Sequence, residues 1–264
     1  MHDTSSLAEF NADVFRNRID VIVERILTKG KWFKNEDVKR HLIEGLARRL
    51  FMLNHSLIVY GRLPKPGAPS LPPEAIVELN STINSTYLNF AGALDNAAWA
   101  MAYHMKLKHE LSEDSLDHRK FISLFGNKYL HAVGEHEPTI AAELQRFQSW
   151  GKELKEHRDP AAHRIPMYIP PGVVVTSDAD AHRRREATAL RIAKETGDMT
   201  ALRSTIEAFD SLGRFLPHLV ISEQHGYSEK PLFPLLSRDY DQFLTAVSTV
   251  VNHCIPDDEI RMGV

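Results

Sequence analysis

The stretch from Pro73 to His109 constrains the fold most, because it can form one uninterrupted helix about 50 Å long. It contains no proline after Pro73, which is itself well suited to the first position of a helix. Its apolar residues recur every three or four positions and would form one face: Ile76, Leu79, Ile83, Phe90, Leu94, Ala98, Met101 and Met105. A helix of this length with one apolar face needs partner helices, and so it predicts a bundle.

Helical spacing of apolar residues recurs on both sides of this stretch. Ser6 and Glu9 form a capping box ahead of the first helical run, and Asn35 can cap the second. Pro138 can start a later helix, which we expect to end near Asp159-Pro160.

The pattern changes at about residues 165–235. Ile165–Thr176 is β-branched and rich in proline, which predicts short extended segments. Further extended pieces are expected at Phe215–Ile221 and Leu232-Phe233, with a helical hairpin at about 180–212 and a last helix capped by Ser237. The predicted fold is mainly α: four to five long helices in a single domain over residues 1–264, with a small antiparallel β and helical-hairpin excursion before the last helix.

Composition and missing motifs exclude several classes of protein. The net charge of −3 excludes an overall basic protein that holds nucleic acid by bulk charge. The single cysteine, Cys254, cannot form an internal disulfide, and neither a signal peptide nor a membrane-spanning run is visible, so we expect a cytoplasmic location without membrane contact. P-loop, Rossmann and H-E-x-x-H motifs are absent, and we expect no metal and no cofactor.

Four asparagines interrupt the apolar pattern of the long helix: Asn80, Asn84, Asn89 and Asn96. Asparagine is an uncommon choice inside a helix. The four residues either line a polar groove beside the bundle or form a solvated face, and the sequence leaves both interpretations open.

The strongest candidate site is the string His157-Arg158-Asp159-Pro160-Ala161-Ala162-His163-Arg164. An arginine followed by a polar residue and then, a few residues on, by histidine resembles the motif of the HEPN superfamily of helical bundle proteins. The longer string from Arg158 to Pro171 also resembles bacterial proteins of similar length.

The HEPN resemblance implies a ribonuclease that cleaves RNA through the 2′-OH without a metal. Arg158 would hold phosphate and His163 would act as acid or base, with His157, Asp159 and Arg164 contacting substrate. The resemblance also implies a homodimer whose two motifs face each other; it identifies no antitoxin or other protein partner.

Two alternatives remain open at this stage. Arg48 and His55, seven positions apart on one helix, could form the site in place of Arg158 and His163. Alternatively the chain is a non-catalytic binding or oligomerisation module, in which Arg158, Asp159 and His163 are structural.

Overall fold

The computed structural model of the chain describes residues 10–107, 121–163, 165–174, 176–205, 213–223 and 226–256. The fold is mainly helical, at 73% helix, with a small two-stranded antiparallel sheet before the last helix. This confirms the fold class predicted from the apolar spacing. None of the described helices is both long and apolar enough to cross a bilayer.

Helices account for most of the elements in the described chain. In chain order they are α1 (Ala12–Lys29), a 3-10 turn (Gly30–Trp32), α2 (Glu36–Lys39), a π-helix (Arg40–Ala47), α3 (Arg48–Gly61), α4 (Pro73–His104), α5 (Asn127–His136), α6 (Pro138–Gln145), α7 (Gln148–His163), α8 (Thr176–Thr196) and α9 (Leu232–Cys254). The strands β1 (His218–Glu223) and β2 (Gly226–Pro231) pair antiparallel, with Val220 opposite Glu229.

Several helix starts follow the sequence signals. The Asn35 side chain accepts hydrogen bonds from the backbone N–H groups of Asp37 and Val38, at 3.0 and 3.3 Å. Pro73 and Pro138 each occupy the first position of a helix. The capping box of Ser6 and Glu9 lies outside the described residues, and α1 is capped by Asn11.

The long helix α4 is shorter than predicted, since it ends at His104 and not at about His109. Lys106 adopts a left-handed conformation with φ of 60°, and the N–H of Leu107 donates to the carbonyl of Ala102 at 2.9 Å. This six-residue closure is a common way to end a helix.

Two helix boundaries were predicted wrongly around prolines. The single helix predicted from Pro138 to near Asp159-Pro160 is two helices: α6 ends at Gln145, and α7 begins at Gln148 and continues through Pro160 to His163. Pro160 removes one helical hydrogen bond, to the carbonyl of residue 156, but position 156 is exposed and water can replace that bond. The last helix begins at Leu232, so Leu232-Phe233 is not a strand and Ser237 is not its cap; Pro234 lies in its first turn, where proline is tolerated.

The chain divides into two compact units. The first draws on Met1–Gly61, Thr82–Pro166 and Phe233–Val264, and the second on Arg62–Ser81 and Met167–Leu232. In the second unit, Tyr168 bridges to Val220 of β1, and Val173 bridges to Arg214. The predicted excursion at about 165–235 thus falls mostly within the second unit, whereas the single-domain assignment remains a prediction.

A buried carboxylate, Asp239 of α9, links three helices of the first unit. It accepts hydrogen bonds from the Tyr87 hydroxyl of α4 at 2.7 Å and from the Trp150 indole of α7 at 3.1 Å. Arg238 donates to the same carboxylate at 2.9 Å and pairs with Glu153 of α7, also at 2.9 Å. Asp239 is only 1% exposed, so these bonds replace the water that its charge has lost.

Replacing Asp239 by alanine should therefore destabilise the protein by about 3–5 kcal/mol, because Arg238 and the buried donors would lose their acceptor. Asp241, two residues later on α9, is a matched control, since its pair with Arg18 is exposed. We expect Asp241→Ala to cost about 1 kcal/mol or less. Urea unfolding of both variants measures the difference, and equal costs would contradict a stabilising role of the Asp239 network.

Candidate functional site

Helix α7 carries the predicted motif, and one of its faces is anchored in the core. Trp150, Leu154 and His157 are buried. The His157 ring meets the Tyr87 ring edge-on, with centroids 4.9 Å apart. His157, predicted to contact substrate, thus lies inside the first unit, at 2% exposure.

Arg158, the next residue, lies at the edge of this buried face. Its side chain is 36% exposed, and its Nε lies 3.4 Å from the Asp159 carboxylate, which is 30% exposed. The anchoring of His157 therefore fixes the backbone from which a half-exposed guanidinium projects. An arginine held in this way can contact an anion from solvent, because the guanidinium keeps its charge at any physiological pH.

Position 163 lies on the same helix as Arg158, in its last turn. Because α7 is continuous through Pro160, positions 158 and 163 are about 140° apart around the helix axis. The described residues include no side chain for Pro160 or His163, and Arg164 lies outside them. The helix therefore does not break between Arg158 and His163.

Asp95 of α4 is an acidic residue on which Arg158 has an electrostatic influence. Asp95 is exposed as a residue, yet partial burial of its carboxyl raises the pKa above the usual range by disfavouring the charged form. Arg158 and Arg49 act in the opposite direction and lower the pKa, because each cation favours the ionised carboxylate. Two guanidiniums, from α7 and α3, are therefore within electrostatic reach of one carboxyl.

Arg49 is held against α4 by a glycine and an asparagine. A Cβ at Gly92 would overlap the Arg49 guanidinium where it now lies, so a larger residue here would displace the arginine. Arg49 also donates to Asn89 Oδ1 at 3.1 Å. Asn89 is itself buried and donates to the carbonyl of Ser85 at 2.9 Å. These contacts fix the guanidinium one helical turn from Asp95.

The polar contacts continue along α4 toward its C-terminus. Asn96 Oδ1 lies 3.2 Å from His41 Nδ1, and the His41 ring stacks on Trp99 and Tyr103, with centroids 5.8 and 5.7 Å away. Gly45 leaves room for the Asn96 side chain. We call Arg49, Asn89, Asn96 and His41 the polar seam. His41 and Gly45 lie on the π-helix, and π-helical turns are frequent at functional sites.

The polar seam decides between a polar groove and a solvated face for some of the four asparagines of α4. Asn89 and Asn96 contact the π-helix and α3 and do not form a solvated face. Asn80, in the second unit, accepts a hydrogen bond from the backbone N–H of Ile169 at 2.6 Å and so fixes an extended segment.

The alternative pair, Arg48 and His55, lies on the outer surface of α3, where both side chains are exposed. Arg49, the immediate neighbour of Arg48, is the arginine that the structure turns toward α4. Neither Arg49 nor Asp95 was selected as a site residue from the sequence. Gly92, which lies between Asn89 and Asn96 in the interior of a long helix, is the signal that could have indicated them.

Metal binding and catalysis by a cysteine nucleophile find little support in the described part of the chain. There, no three His, Cys, Asp or Glu side chains come together in a way that could hold a metal ion. Cys254 is buried, and burial raises the pKa of its thiol to about 12, so the nucleophilic thiolate is scarce at neutral pH.

No protein-family model, curated protein or solved structure matches the chain. The chain's own residues are therefore the basis for inferring its function. Among them, the charged side chains Arg158, Arg49 and Asp95 are best suited to a chemical role.

Replacing Asp95 by asparagine should stabilise the protein at pH 7. The raised pKa means that the folded state binds the carboxyl proton more tightly than the unfolded state, so ionising Asp95 costs stability. This cost is present above the folded-state pKa, and it disappears as the pH falls through that pKa to the ordinary value for aspartate. Thermal melts of Asp95→Asn and wild type should differ at pH 7 and converge near pH 4; a lower melting temperature for the variant at pH 7 would contradict this.

Proposed function

We propose that the chain binds RNA at Arg158 and cleaves it without a metal, by HEPN-like chemistry in which His163 moves a proton. The observation that carries the proposal is the presentation of Arg158. Its guanidinium is half exposed, while the preceding residue, His157, is buried against Tyr87. A cation on an anchored helix stabilises phosphate charge with little reorganisation, which is what transition-state stabilisation requires.

In this reaction the ribose 2′-oxygen attacks the adjacent phosphorus, and the bond from phosphorus to the 5′-oxygen breaks. The 2′-OH gives up its proton to a base, and the leaving 5′-oxygen takes a proton from an acid, which leaves a cyclic phosphate and a 5′-hydroxyl. Histidine suits either transfer because it titrates near neutral pH. Arg158 would contact the non-bridging phosphate oxygens.

The separation of positions 158 and 163 favours a site built from two copies. On one continuous helix they are about 140° apart, so one phosphate does not readily meet both from the same chain. The homodimer implied by the HEPN resemblance would place Arg158 near His163 of the partner subunit. We therefore include a homodimer in the proposal.

The second candidate function is a non-catalytic binding or oligomerisation module. It is favoured by the continuity of α7 through Pro160, which sets positions 158 and 163 about 140° apart around one helix. In such a module the ion pair of Arg158 with Asp159 would only stabilise the end of α7.

Incubating the pure protein with mixed RNAs in EDTA tests the proposal. We expect cleavage, and a loss of about 10²–10⁴-fold in rate for His163→Ala with RNA binding nearly intact, because that variant removes proton transfer alone. Arg158→Ala should weaken binding as well, whereas Arg158→Lys should restore charge without the planar fork.

His55→Ala is the matched control, since it removes the exposed histidine of the alternative pair and should leave the rate unchanged. If His55→Ala abolishes cleavage, the site lies at Arg48 and His55. If the wild-type protein cleaves nothing in EDTA, the binding-module function replaces the one proposed.

A further inference from the structure

We propose that His41, Trp99 and Tyr103 form a stacking site for one nucleobase of a bound RNA strand. These three residues are called the ring cluster below. The inference rests on the proposed function, because it gives the bound RNA a second point of contact. Sequence motifs do not indicate the cluster, since His41 lies on the π-helix and the other two residues lie on α4.

The rings of the ring cluster stack on one another. The centroid of the His41 ring lies 5.8 Å from that of Trp99 and 5.7 Å from that of Tyr103, with interplanar angles of 11° and 20°. The Trp99 and Tyr103 rings are 5.6 Å apart at 30°. All three residues are partly exposed. Nearly parallel rings that reach the solvent offer a flat surface, on which any nucleobase can stack through its own π-face.

Hydrogen bonds fix which ring nitrogen of His41 carries the proton. Asn96 Nδ2 donates to the Gly92 carbonyl at 2.7 Å, and because a carbonyl only accepts, the amide oxygen of Asn96 faces His41 Nδ1, 3.2 Å away. Nδ1 is therefore the donor, and Nε2 of the neutral ring carries the lone pair. A Cβ at Gly45 would overlap the Asn96 side chain, so a larger residue there would displace it.

The Nε2 lone pair adds a polar contact to the stacking surface. Each RNA base carries an N–H donor on its Watson–Crick edge, the edge that proteins contact when a base is unpaired. A base that stacks on Trp99 or Tyr103 beside His41 can donate to Nε2. The contact does not depend on which base is bound, so the site suits binding with little sequence preference.

The chain around His41 is positively charged. Residues 29–49 contain seven Lys or Arg and three Asp or Glu, a net charge of +4, whereas the whole chain carries −3. Asn35 Nδ2 donates to the Tyr103 carbonyl at 3.4 Å, which holds this segment beside the end of α4. Arg40, next to His41, is exposed. A stacking surface bordered by cations matches a nucleotide, in which a flat base is joined to a phosphate.

The test measures binding and not cleavage. The probes are a fluorescent 2′-O-methyl RNA oligonucleotide, which lacks the attacking hydroxyl, and an abasic oligonucleotide with the same backbone. We expect Trp99→Leu to weaken binding of the first probe about tenfold, as the loss of one base–aromatic stack predicts, and binding of the second less than twofold. Trp99→Phe keeps a ring and should bind the first probe more tightly than Trp99→Leu.

Tyr227→Leu is the matched control for Trp99→Leu, because Tyr227 is an aromatic residue of β2 that is 70% exposed. His55→Ala is the control for His41→Ala, since His55 is exposed on α3. Each control should change binding less than twofold, whereas His41→Ala should weaken it severalfold through loss of a ring and an acceptor. Thermal melts show whether each variant is folded, and His41→Ala carries the test if Trp99→Leu is not.

AMP as a competitor distinguishes two sources of the base. If AMP displaces the oligonucleotide and protects wild type but not Trp99→Leu from thermal unfolding, the site accepts a free nucleotide. If only the oligonucleotide binds and Trp99→Leu weakens it, the site needs a strand. The proposal would be overturned by equal affinities of Trp99→Leu and Tyr227→Leu, by an equal loss with the abasic probe, or by a wild type that binds no oligonucleotide.

Failure of the ring cluster and failure of the proposed function give different results. If only the ring cluster fails, Trp99→Leu binds like wild type while cleavage of unmodified RNA still depends on Arg158 and His163. If only the proposed cleavage fails, unmodified RNA stays intact but its binding depends on Trp99.

Discussion

The buried carboxylate of Asp239 is the interaction on which the placement of α7 depends. It accepts hydrogen bonds from α4 through Tyr87 and from α7 through Trp150, and its neighbour Arg238 reaches Glu153 on α7. Burial raises the pKa of the Tyr87 hydroxyl, and Asp239 raises it further, so Tyr87 remains a donor at any physiological pH. Because α7 is attached to α4 at this point, its next turns, which carry His157 and Arg158, have a defined position beside α4.

The long helix α4 combines this structural role with the polar seam. Its apolar face packs in the core with Phe90, whose ring contacts Tyr240 and Phe243 of α9. Toward α3 and the π-helix it presents Asn89, Gly92 and Asn96 in place of apolar side chains. A polar contact between helices contributes less stability than an apolar one would, unless every group is hydrogen-bonded. The hydrogen bonds from Arg49 to Asn89 and from Asn89 to Ser85 meet part of this condition beside Gly92.

Local sequence signals were enough to predict the fold class and several helix starts. Asn35, Pro73 and Pro138 act through contacts with their own neighbouring residues, so a single sequence contains the whole signal. The predicted helix end at Pro160 was wrong because the cost of a proline inside a helix depends on whether water can reach the freed carbonyl. That access is a property of the folded surface.

The candidate site was predictable only in part, for a related reason. Arg158 was identified by a local motif, but its neighbours Arg49 and Asp95 lie on other helices, and their positions depend on how those helices pack. The burial of His157 likewise depends on Tyr87, which is 70 residues away in the chain. A single sequence carries no direct record of such contacts.

The candidate site on α7 depends on where the Arg158 guanidinium lies relative to α4, and the pKa of the Asp95 carboxyl tests this most directly. A ¹³C NMR titration would measure this pKa in wild type and in Arg158→Gln, Arg49→Gln and Arg48→Gln. Each flanking guanidinium lowers the pKa, so removing Arg158 or Arg49 should raise it further, with the larger rise for Arg158, while Arg48→Gln should leave it unchanged. A pKa that does not move in Arg158→Gln would contradict the placement of Arg158 beside α4.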